Sequence, residues 1–394
     1  MFDNSIVFDK VDVNVPIDPA TGKIIDIQKI LETEKSVRWC FANGAYSVVV
    51  LSHQGRKKDE SLEKHAQVLG ERFPVTLFAA RTGSEAVKKI AGAKKGSVIV
   101  LENLRSDDEE KDYGDATQTK LYGMLKEVEQ KSGKKVAFVK DDFSVCHRKD
   151  LCVYGLPRQL KKEGYKVVAG PVMQEELEKA KVASQKMKER KVIGIWGGKK
   201  LEDYINVFKA LLEKRKDAIV LTSGPLSILM QSAMGLDVGE NAKAFKITPE
   251  LTEKAKSIVE KFNKQVVMPL DYYSATGKGR ELVSANDLRG VIVDLGPRTV
   301  EAYKKVLREN PRSAIIGNGP LGEYEKEENR VGTWEVYAEA FNPANNHFVM
   351  GGGGDFNAVM HMLGLQPHVS STGGKAFLEC VVNGGMPGLE VIEW

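Results

Sequence analysis

The sequence lacks long apolar segments. Among its 394 residues there is no run of 18 or more apolar residues, so the sequence contains no predicted transmembrane helix. The first residues, MFDNSIVFDKVDVNVP, carry Asp3 and Asp9 where a signal peptide has a basic start followed by a long apolar stretch. We therefore expect a cytoplasmic protein that has no membrane partner.

The sequence also has few cysteines and a small net charge. The four cysteines are scattered and form no CxxC pair, which argues against a disulfide framework or a structural zinc site. The formal net charge is only +4, and no block of Lys and Arg stands free of Asp and Glu, so nothing indicates a nucleic-acid partner. Four of the histidines (His65, His347, His361 and His368) lack metal-ligand spacing, so no transition-metal site is predicted.

The chain is long enough for two cores, and its patterning is that of an α/β protein. Short apolar runs alternate with longer, helix-periodic charged segments, which predicts parallel sheets covered by helices on both faces. The segment 174–191, QEELEKAKVASQKMKERK, is predicted to form one long connecting helix, whereas DYYSATGKG is interpreted as an ordinary loop. The predicted organisation is an N-terminal domain (1–172), a connecting helix (173–191), a C-terminal domain (192–378) and a tail (379–394).

Basic residues follow several apolar strands of the first half. The motifs are DVNVP, SHQGR, ENLR and DDFSVCHR, and they supply His53, Arg56, Arg105, His147 and Arg148. The carboxyl ends of parallel strands converge at one edge of a sheet, and Arg offers a fixed fork of donors to carboxylate and phosphate oxygens. A single such residue is more often a solvated loop charge, but the coordinated set predicts a site for an anionic substrate.

Glycine-rich loops follow the strands of the second half. They are GGKKLEDYI, TSGPLS, DLGPRT, GNGPLGEYE, GGGGDF and SSTGGKA. Such loops at helix starts expose backbone N–H groups and the positive end of the helix dipole, which suit phosphate. None of them has the Walker pattern GxxxxGK[ST] or a dinucleotide GxGxxG in its strand–turn–helix setting. One loop alone is weak evidence, but the series along one sheet predicts a nucleotide site.

Taken in order, these motifs resemble the phosphoglycerate kinase family. The matching motifs cover the chain almost end to end. They are DxNVP, SHxGR, ENLR, DDF-x-HR, the long helix, GGxK, GP, GNGPxGxxE, GGGD and STGG. Three segments resemble the archaeal branch, namely NVPIDPATGKI, SHQGR and SLEKHA. The resemblance implies two Rossmann-like domains with parallel sheets that face each other across a cleft and are joined by a long helix, with the C-terminal tail (379–394) returning to the N-terminal domain. It also implies reversible phosphoryl transfer between 1,3-bisphosphoglycerate and ADP, giving 3-phosphoglycerate and ATP, with Mg²⁺ and with a monomer, or alternatively a dimer, as the working state.

The resemblance assigns roles to individual positions. It places Asp12 and Asn14 at the hydroxyl and carboxylate end of the acceptor, with Lys29, His53, Arg56, Arg105, His147 and Arg148 completing the acceptor site. It places Gly197, Lys200, Gly224, Asn318, Pro320, Glu325 and Gly352, Gly353, Gly354 and Asp355 at the nucleotide, with Glu325 on the ribose and Asp355 on the metal. The predicted catalytic residues are Lys29, Lys200, Gly353 and Lys375.

Five positions depart from the family pattern. Lys10 and Lys29 stand where the family has Arg, Tyr204 stands where it has a phosphate-binding Lys, Phe356 replaces a helix-capping Thr, and Lys375 replaces a Gly. A lysine supplies a point charge, whereas an arginine supplies a planar fork of hydrogen-bond donors. A tyrosine phenol is neutral at pH 7 and supplies no charge. Loss of a hydroxyl cap at Phe356 is expected to cost about 1 kcal/mol of helix stability.

Two functions fit these departures. In the first, the protein is an active kinase in which Lys375, together with the neighbouring Lys199, supplies the charge lost at Tyr204. In the second, it is a divergent paralogue that binds nucleotide with weak, altered or no kinase activity. The retained acceptor residues and Asp355 favour the first function.

Overall fold

The chain divides into two compact units. The computed structural model describes residues 1–18, 20–25, 27–55, 59–73, 76–198 and 201–392. The first unit comprises Met1–Glu178 and Gly385–Trp394, and the second comprises Lys179–Gly384, so the boundary between them falls within one helix, Pro171–Glu189. Of the helices in the described ranges, none combines the length and the apolar character needed to span a bilayer.

The first unit is built on a six-stranded parallel sheet with the strand order β3-β4-β2-β1-β5-β6. Its strands are β1 (Ile6–Val11), β2 (Ser47–Leu51), β3 (Thr76–Ala79), β4 (Val98–Leu101), β5 (Val136–Asp141) and β6 (Lys166–Ala169). Its helices are α1 (Gln28–Ala42), α2 (Glu63–Gly70), α3 (Ser84–Ala91), α4 (Lys120–Ser132), α5 (Leu156–Lys162) and α6 (Pro171–Glu189). Separate apolar clusters pack against the two faces of the sheet, as expected where helices cover both sides.

The second unit contains another six-stranded parallel sheet, with the order β15-β14-β13-β7-β8-β9. The strands of the unit are β7 (Val192–Trp196), β8 (Ile219–Thr222), β9 (Val266–Val267), β10 (Asp271–Thr276), β11 (Gly279–Ser284), β12 (Val291–Leu295), β13 (Ala314–Asn318), β14 (Phe348–Gly352) and β15 (Val369–Ser371). The helices are α7 (Leu201–Lys214), α8 (Gly224–Ala233), α9 (Asn241–Ala244), α10 (Pro249–Phe262), α11 (Pro297–Glu309), α12 (Val331–Ala340), α13 (Gly354–Met362) and α14 (Lys375–Asn383).

One sequence prediction about the second unit is wrong. The segment DYYSATGKG, interpreted as a loop, forms β10 and the start of β11, and together with β12 these make a small antiparallel sheet. The hairpin closes where Thr276 pairs with Gly279, so only two residues make the turn, and Gly279 adopts φ +109°. A tight turn that needs a glycine with positive φ specifies a hairpin more strongly than apolar patterning does.

The long helix differs slightly from its prediction. The segment 174–191 was expected to be helical, whereas α6 starts three residues earlier, at Pro171, and ends at Glu189. Proline is favoured in the first helical turn because its missing N–H has no helical partner there. Another free N–H of this turn, that of Met173, donates to the Asp141 carboxylate over 2.6 Å, so a carboxylate from the end of β5 caps the helix.

Buried ions join the two central strands of the first unit. Lys10 on β1 pairs in register with Lys140 on β5, and both side chains are almost completely buried. The Asp142 carboxylate lies between them, 3.5 Å from the Lys10 ammonium and 2.5 Å from the Lys140 ammonium. Burial alone disfavours the charged form of Lys140, but the Asp142 carboxylate and the Cys146 side chain together outweigh it and raise the pKa of this lysine. Lys140 therefore remains charged inside the sheet.

We expect Asp142→Asn to destabilise the first unit by about 3–5 kcal/mol, because it leaves two buried ammonium groups without a counter-charge. The free energy of unfolding from urea titration tests this. Glu309→Gln, which removes one partner of an exposed pair with Lys305, is the control and should change stability little. An Asp142→Asn variant as stable as wild type would show that the ion cluster does not hold the sheet.

Candidate functional site

Each parallel sheet has one switch point. There, the strands that follow in the chain begin to be added on the opposite side of the sheet's first strand. In the first unit it lies between β1 and β5, and in the second between β7 and β13. Ligands of open α/β sheets bind beyond the carboxyl ends of the strands at such a switch point. Asp12 directly follows β1 and Gly197 directly follows β7, so residues predicted for both substrates lie at these two places.

Asp12 is the centre of the switch point in the first unit. Its Oδ2 accepts hydrogen bonds from the Lys29 ammonium, over 2.6 Å, and from the Ser144 hydroxyl, while its Oδ1 accepts from the backbone N–H of Asn14 over 3.0 Å. Burial opposes ionisation of Asp12, but the Lys29 ammonium and the other partners of the carboxylate, Ser144 among them, together outweigh it and hold the pKa of this carboxyl well below its usual range. Asp12 is therefore a carboxylate at neutral pH.

The basic side chains predicted for the acceptor act on one another electrostatically. Burial lowers the pKa of His53 well below its usual value, and nearby cations, Arg105 and Arg148 among them, lower it further. Burial also lowers the pKa of Arg105, and Arg148 adds to that effect. A pair with Asp150, at 3.7 Å, partly offsets the charge of Arg148. The site thus offers a neutral imidazole that feels the charge of two guanidinium groups, and a bound anion would offset that charge.

Two buried amides that sequence reasoning missed hold this patch in place. Asn103 accepts the N–H groups of Gln54 and Arg105, over 3.1 and 3.2 Å. Its Nδ2 donates to the carbonyls of Gln54 and Glu60. The Gln54 side chain bonds both backbone groups of Val15, over 3.2 and 2.8 Å. These amides lie inside the motifs ENLR and SHQGR, but the sequence does not show which loops they connect.

The structure describes two of the three remaining residues that are predicted for the acceptor site. Asn14 accepts the N–H of Gly55 through its Oδ1, over 2.9 Å, and so joins the loops after β1 and β2. His147 is half-buried in the loop after β5. Arg56 lies outside the described residues, so its predicted role stays a prediction.

At the switch point of the second unit, two loops interlock through their backbones. The N–H of Gly197 donates to the Asn318 carbonyl over 2.9 Å, and that of Gly198 donates to the Pro320 carbonyl over 3.0 Å. A Cβ at Gly197 would lie 1.9 Å from the Pro320 carbonyl oxygen, so the approach requires glycine. Lys199 and Lys200, which follow in the same loop, lie outside the described residues.

Three helices begin at glycines beside these loops. Gly224 starts α8, and the Ser223 hydroxyl before it donates to the Leu321 carbonyl. Gly353 and Gly374 are the N-caps of α13 and α14, with φ of +95° and +51°. A Cβ on either would lie only 3.1–3.3 Å from the Cα of the other, so the two helices start side by side. Their free N–H groups and aligned dipoles make an anion site.

Two of the departures from the family pattern lie at this pair of helix starts. The Tyr204 hydroxyl lies 3.7 Å from the position of a Cβ on Gly374. Lys375 is the first residue of α14, and its ammonium lies 3.4 Å from the Glu379 carboxylate one turn along the helix. A role for Lys375 in replacing the charge lost at Tyr204 therefore requires the side chain to leave Glu379, and it stays a prediction.

Acidic side chains are found near the start of α13. Burial raises the pKa of the Tyr324 phenol, and the carboxylates of Asp355 and Glu325 raise it further, so both acids lie near this ring. Asp355 is exposed at the second position of α13. Within the described ranges there is no group of three or more His, Cys, Asp or Glu side chains able to hold a metal. Mg²⁺ commonly uses one or two carboxylates plus substrate phosphates, so Asp355 fits this ion only as a shared ligand.

An apolar pocket opens beside the same glycine loops. Gly198, Gly224, Pro320, Phe245, Ile292 and Leu321 are among the residues that line it. Apolar walls beside the start of α8 suit a flat heterocycle attached to phosphates. The residues come from separate segments of the second unit, so the sequence alone did not reveal the pocket.

Phe356 corrects a prediction about α13. The sequence analysis expected a lost hydroxyl cap, but the N-cap is Gly353 and Phe356 is the third residue of the helix. The ring is 1% exposed and packs edge-on against Tyr337, with centroids 6.1 Å apart. A Cβ on Gly317 or Gly351 would lie 2.3 or 2.6 Å from the ring. Phe356 is therefore a core residue that occupies the space above two strand glycines.

We expect the substitutions Phe356→Ala and Gly317→Ala to be strongly coupled. Phe356→Ala should cost about 3–5 kcal/mol through the cavity it leaves, and Gly317→Ala should destabilise because its new methyl group meets the ring. In the double variant the methyl group enters the vacated space, so the loss should be smaller than the sum by about 1–3 kcal/mol. Urea unfolding of the four proteins measures this coupling.

Gly123→Ala is the matched control, because a Cβ at Gly123 meets no atom within 4 Å. Its effect should add to that of Phe356→Ala. Additivity of Gly317→Ala as well would contradict the packing described for Phe356.

Comparison with known proteins agrees with this geometry. Residues 1–383 match the family model described as phosphoglycerate kinase. The phosphoglycerate kinase of Lactobacillus johnsonii is 30% identical, over 97% of this chain and 95% of its own, and that of Methanobacterium bryantii is 29% identical, over 99% and 95%. The crystal structure of the Pyrococcus horikoshii enzyme superposes with a TM-score of 0.77 at 29% identity, covering 99% of this chain and 96% of that one.

A second structure supports the fold alone. The Coxiella burnetii phosphoglycerate kinase gives a TM-score of 0.68 at 23% identity, with the same coverage of both chains. The family match spans nearly the whole chain and includes the motifs at both switch points. On this evidence, the chain belongs to the phosphoglycerate kinase family.

Proposed function

We propose that the protein catalyses reversible phosphoryl transfer between 1,3-bisphosphoglycerate and ADP, which gives 3-phosphoglycerate and ATP. The observation that carries the proposal is the acceptor patch, in which Lys29 bonds to the Asp12 carboxylate, His53 interacts with it, and the charges of Arg105 and Arg148 act on His53. A protein that only bound nucleotide would not need these cations. The proposal includes a cytoplasmic location and a monomeric state, with a dimer as the alternative.

In the proposed acceptor site, Arg105 and Arg148 bind the phosphate of 3-phosphoglycerate, since guanidinium groups match phosphate oxygens with paired donors. His53, which is neutral, donates one hydrogen bond to the same group. Asp12 and Asn14 bind the hydroxyl and carboxylate end. Arg56 and His147 complete the site in this proposal.

In the proposed nucleotide site, the apolar pocket holds the base and Glu325 binds the ribose hydroxyls. The loops at Gly197, Gly224, Asn318 and Pro320 hold the nucleotide between the pocket and the phosphates. The phosphates lie at the N-termini of α13 and α14, where Gly352, Gly353 and Gly354 allow a close approach to the first backbone N–H groups of α13. Lys200 adds a positive charge to the phosphates.

The transfer itself requires alignment and neutralisation of charge more than covalent chemistry. When bound, Mg²⁺ would neutralise nucleotide phosphate charge, and Asp355 would hold it. Lys29 stabilises the charge on the transferring group from the acceptor side. The helix start at Gly353, with Lys200 and Lys375, does so from the nucleotide side. Exclusion of water from the aligned substrates prevents hydrolysis.

A coupled assay with ATP, Mg²⁺ and 3-phosphoglycerate tests the function. We expect turnover well above blank at saturating substrates. A rate equal to blank would disprove the proposed kinase activity, and calorimetry with Mg·ADP would then show whether nucleotide binding alone remains.

We expect Arg105→Ala to raise the KM for 3-phosphoglycerate by about 10-fold or more, because a charge-assisted contact to a partly buried phosphate is worth about 1.5–3 kcal/mol. The KM for ATP should stay within about twofold, since Arg105 lies in the acceptor site. Arg289→Ala removes an exposed arginine of the second unit and is the control. Equal effects on both KM values would argue against the assigned role.

We expect Asp355→Asn to lower kcat by about 100-fold and to raise the Mg²⁺ concentration needed for half-maximal rate, because an amide is a weaker ligand for a hard cation. Calorimetric binding of metal-free ADP should change little, which separates loss of the ion from loss of the nucleotide. Asp287→Asn, at an exposed acid of the same unit, is the control. An unchanged Mg²⁺ requirement would remove Asp355 from the metal site.

A further inference from the structure

The Asp12 carboxylate joins three segments of the first unit. Lys29 comes from α1, Asn14 from the loop after β1, and Ser144 from the loop after β5. Lys29 and Ser144 both donate to the same oxygen, Oδ2, while Asn14 occupies Oδ1 through its backbone. Ser144 is thus the donor that reaches Asp12 from across the switch point.

The position of the Lys29 ammonium depends on this carboxylate. A lysine ends in a compact charge on a flexible stem and has no planar fork to fix its direction. The Lys29 side chain is 30% exposed, and its ammonium pairs with Asp12, whose side chain is 11% exposed. The direction of the Asp12 carboxylate therefore determines where the charge of Lys29 lies.

We propose that Ser144 is a positioning residue for phosphoryl transfer, which acts by orienting Asp12 and, through it, Lys29. The proposal rests on the kinase function proposed above. The Ser144 hydroxyl fixes the rotation of the carboxylate, so that the ammonium is held in one direction as charge develops on the transferring group. Without this bond, the carboxylate and the ammonium can move together away from that direction.

The same bond has an electrostatic effect. The Ser144 hydroxyl donates to the ionised form of Asp12 and so favours it, in addition to the larger effect of Lys29. Loss of the bond should therefore raise the pKa of Asp12, while the Lys29 ammonium still favours the ionised form.

The test compares Ser144→Ala and Ser144→Thr with wild type. We expect Ser144→Ala to lower kcat by about 10-fold, to leave the KM for 3-phosphoglycerate within about threefold, and to leave the melting temperature nearly unchanged. Ser144→Thr, which keeps the hydroxyl, should restore kcat to within about threefold of wild type. Thr117→Val, which removes an exposed hydroxyl bond to Asp115, is the control for loss of a hydroxyl–carboxylate bond and should leave kcat unchanged.

A second measurement does not depend on turnover. The rate at which an amine-selective acylating reagent modifies Lys29, followed by peptide mass spectrometry, should rise in Ser144→Ala and return towards wild type in Ser144→Thr. An inactive wild-type protein would disprove the proposed function, while the labelling would still test the link from Ser144 to Lys29. Unchanged kcat and unchanged labelling in Ser144→Ala, or equal losses in both Ser144 variants, would overturn the positioning role.

Discussion

The Asp142 carboxylate, buried between the ammonium groups of Lys10 and Lys140, ties together the two strands on which the first unit depends. This carboxylate pairs with both ammonium groups, so a shift of either strand along the other would separate the ions. Because β1 and β5 flank the switch point, this cluster also fixes where the loops after them begin. Asp12 follows one strand and Ser144 the other, and they meet over a single hydrogen bond. The positions of these buried ions therefore help to set the geometry of the proposed acceptor site.

The two units provide for anions in different ways. In the first unit, side-chain cations gather around a neutral histidine, and buried amides at Gln54 and Asn103 brace their loops. In the second, glycines allow loops and helix starts to approach so closely that backbone N–H groups provide the positive potential. The first solution suits a small acid phosphate held by many contacts. The second suits a nucleotide whose phosphates need close approach to the backbone.

The departures from the family pattern have different physical meanings once the chain is folded. Phe356 belongs to the core, where its ring lies above Gly317 and Gly351, so it does not weaken the start of α13. The Lys29 ammonium bonds to the Asp12 carboxylate, and the Ser144 hydroxyl bonds to the same carboxylate oxygen. Tyr204 lies at the paired helix starts, where backbone dipoles already favour an anion. Substitutions that look alike in a motif thus affect packing, positioning or charge separately.

The sequence by itself determined the α/β class and most strands of both sheets. It also showed that basic residues group at strand ends and glycines at helix starts. These features are predictable because buried parallel strands and phosphate loops have local sequence signatures. It did not identify the hairpin of β10 and β11, because apolar patterning there gave no register and the turn decided it. Only the tertiary structure decided that Asn103 bonds to Gln54, that Phe356 fills the space above Gly317, and that Ser144 reaches Asp12. Each of these contacts joins residues far apart in the chain, and neither spacing nor composition specifies which distant groups will meet.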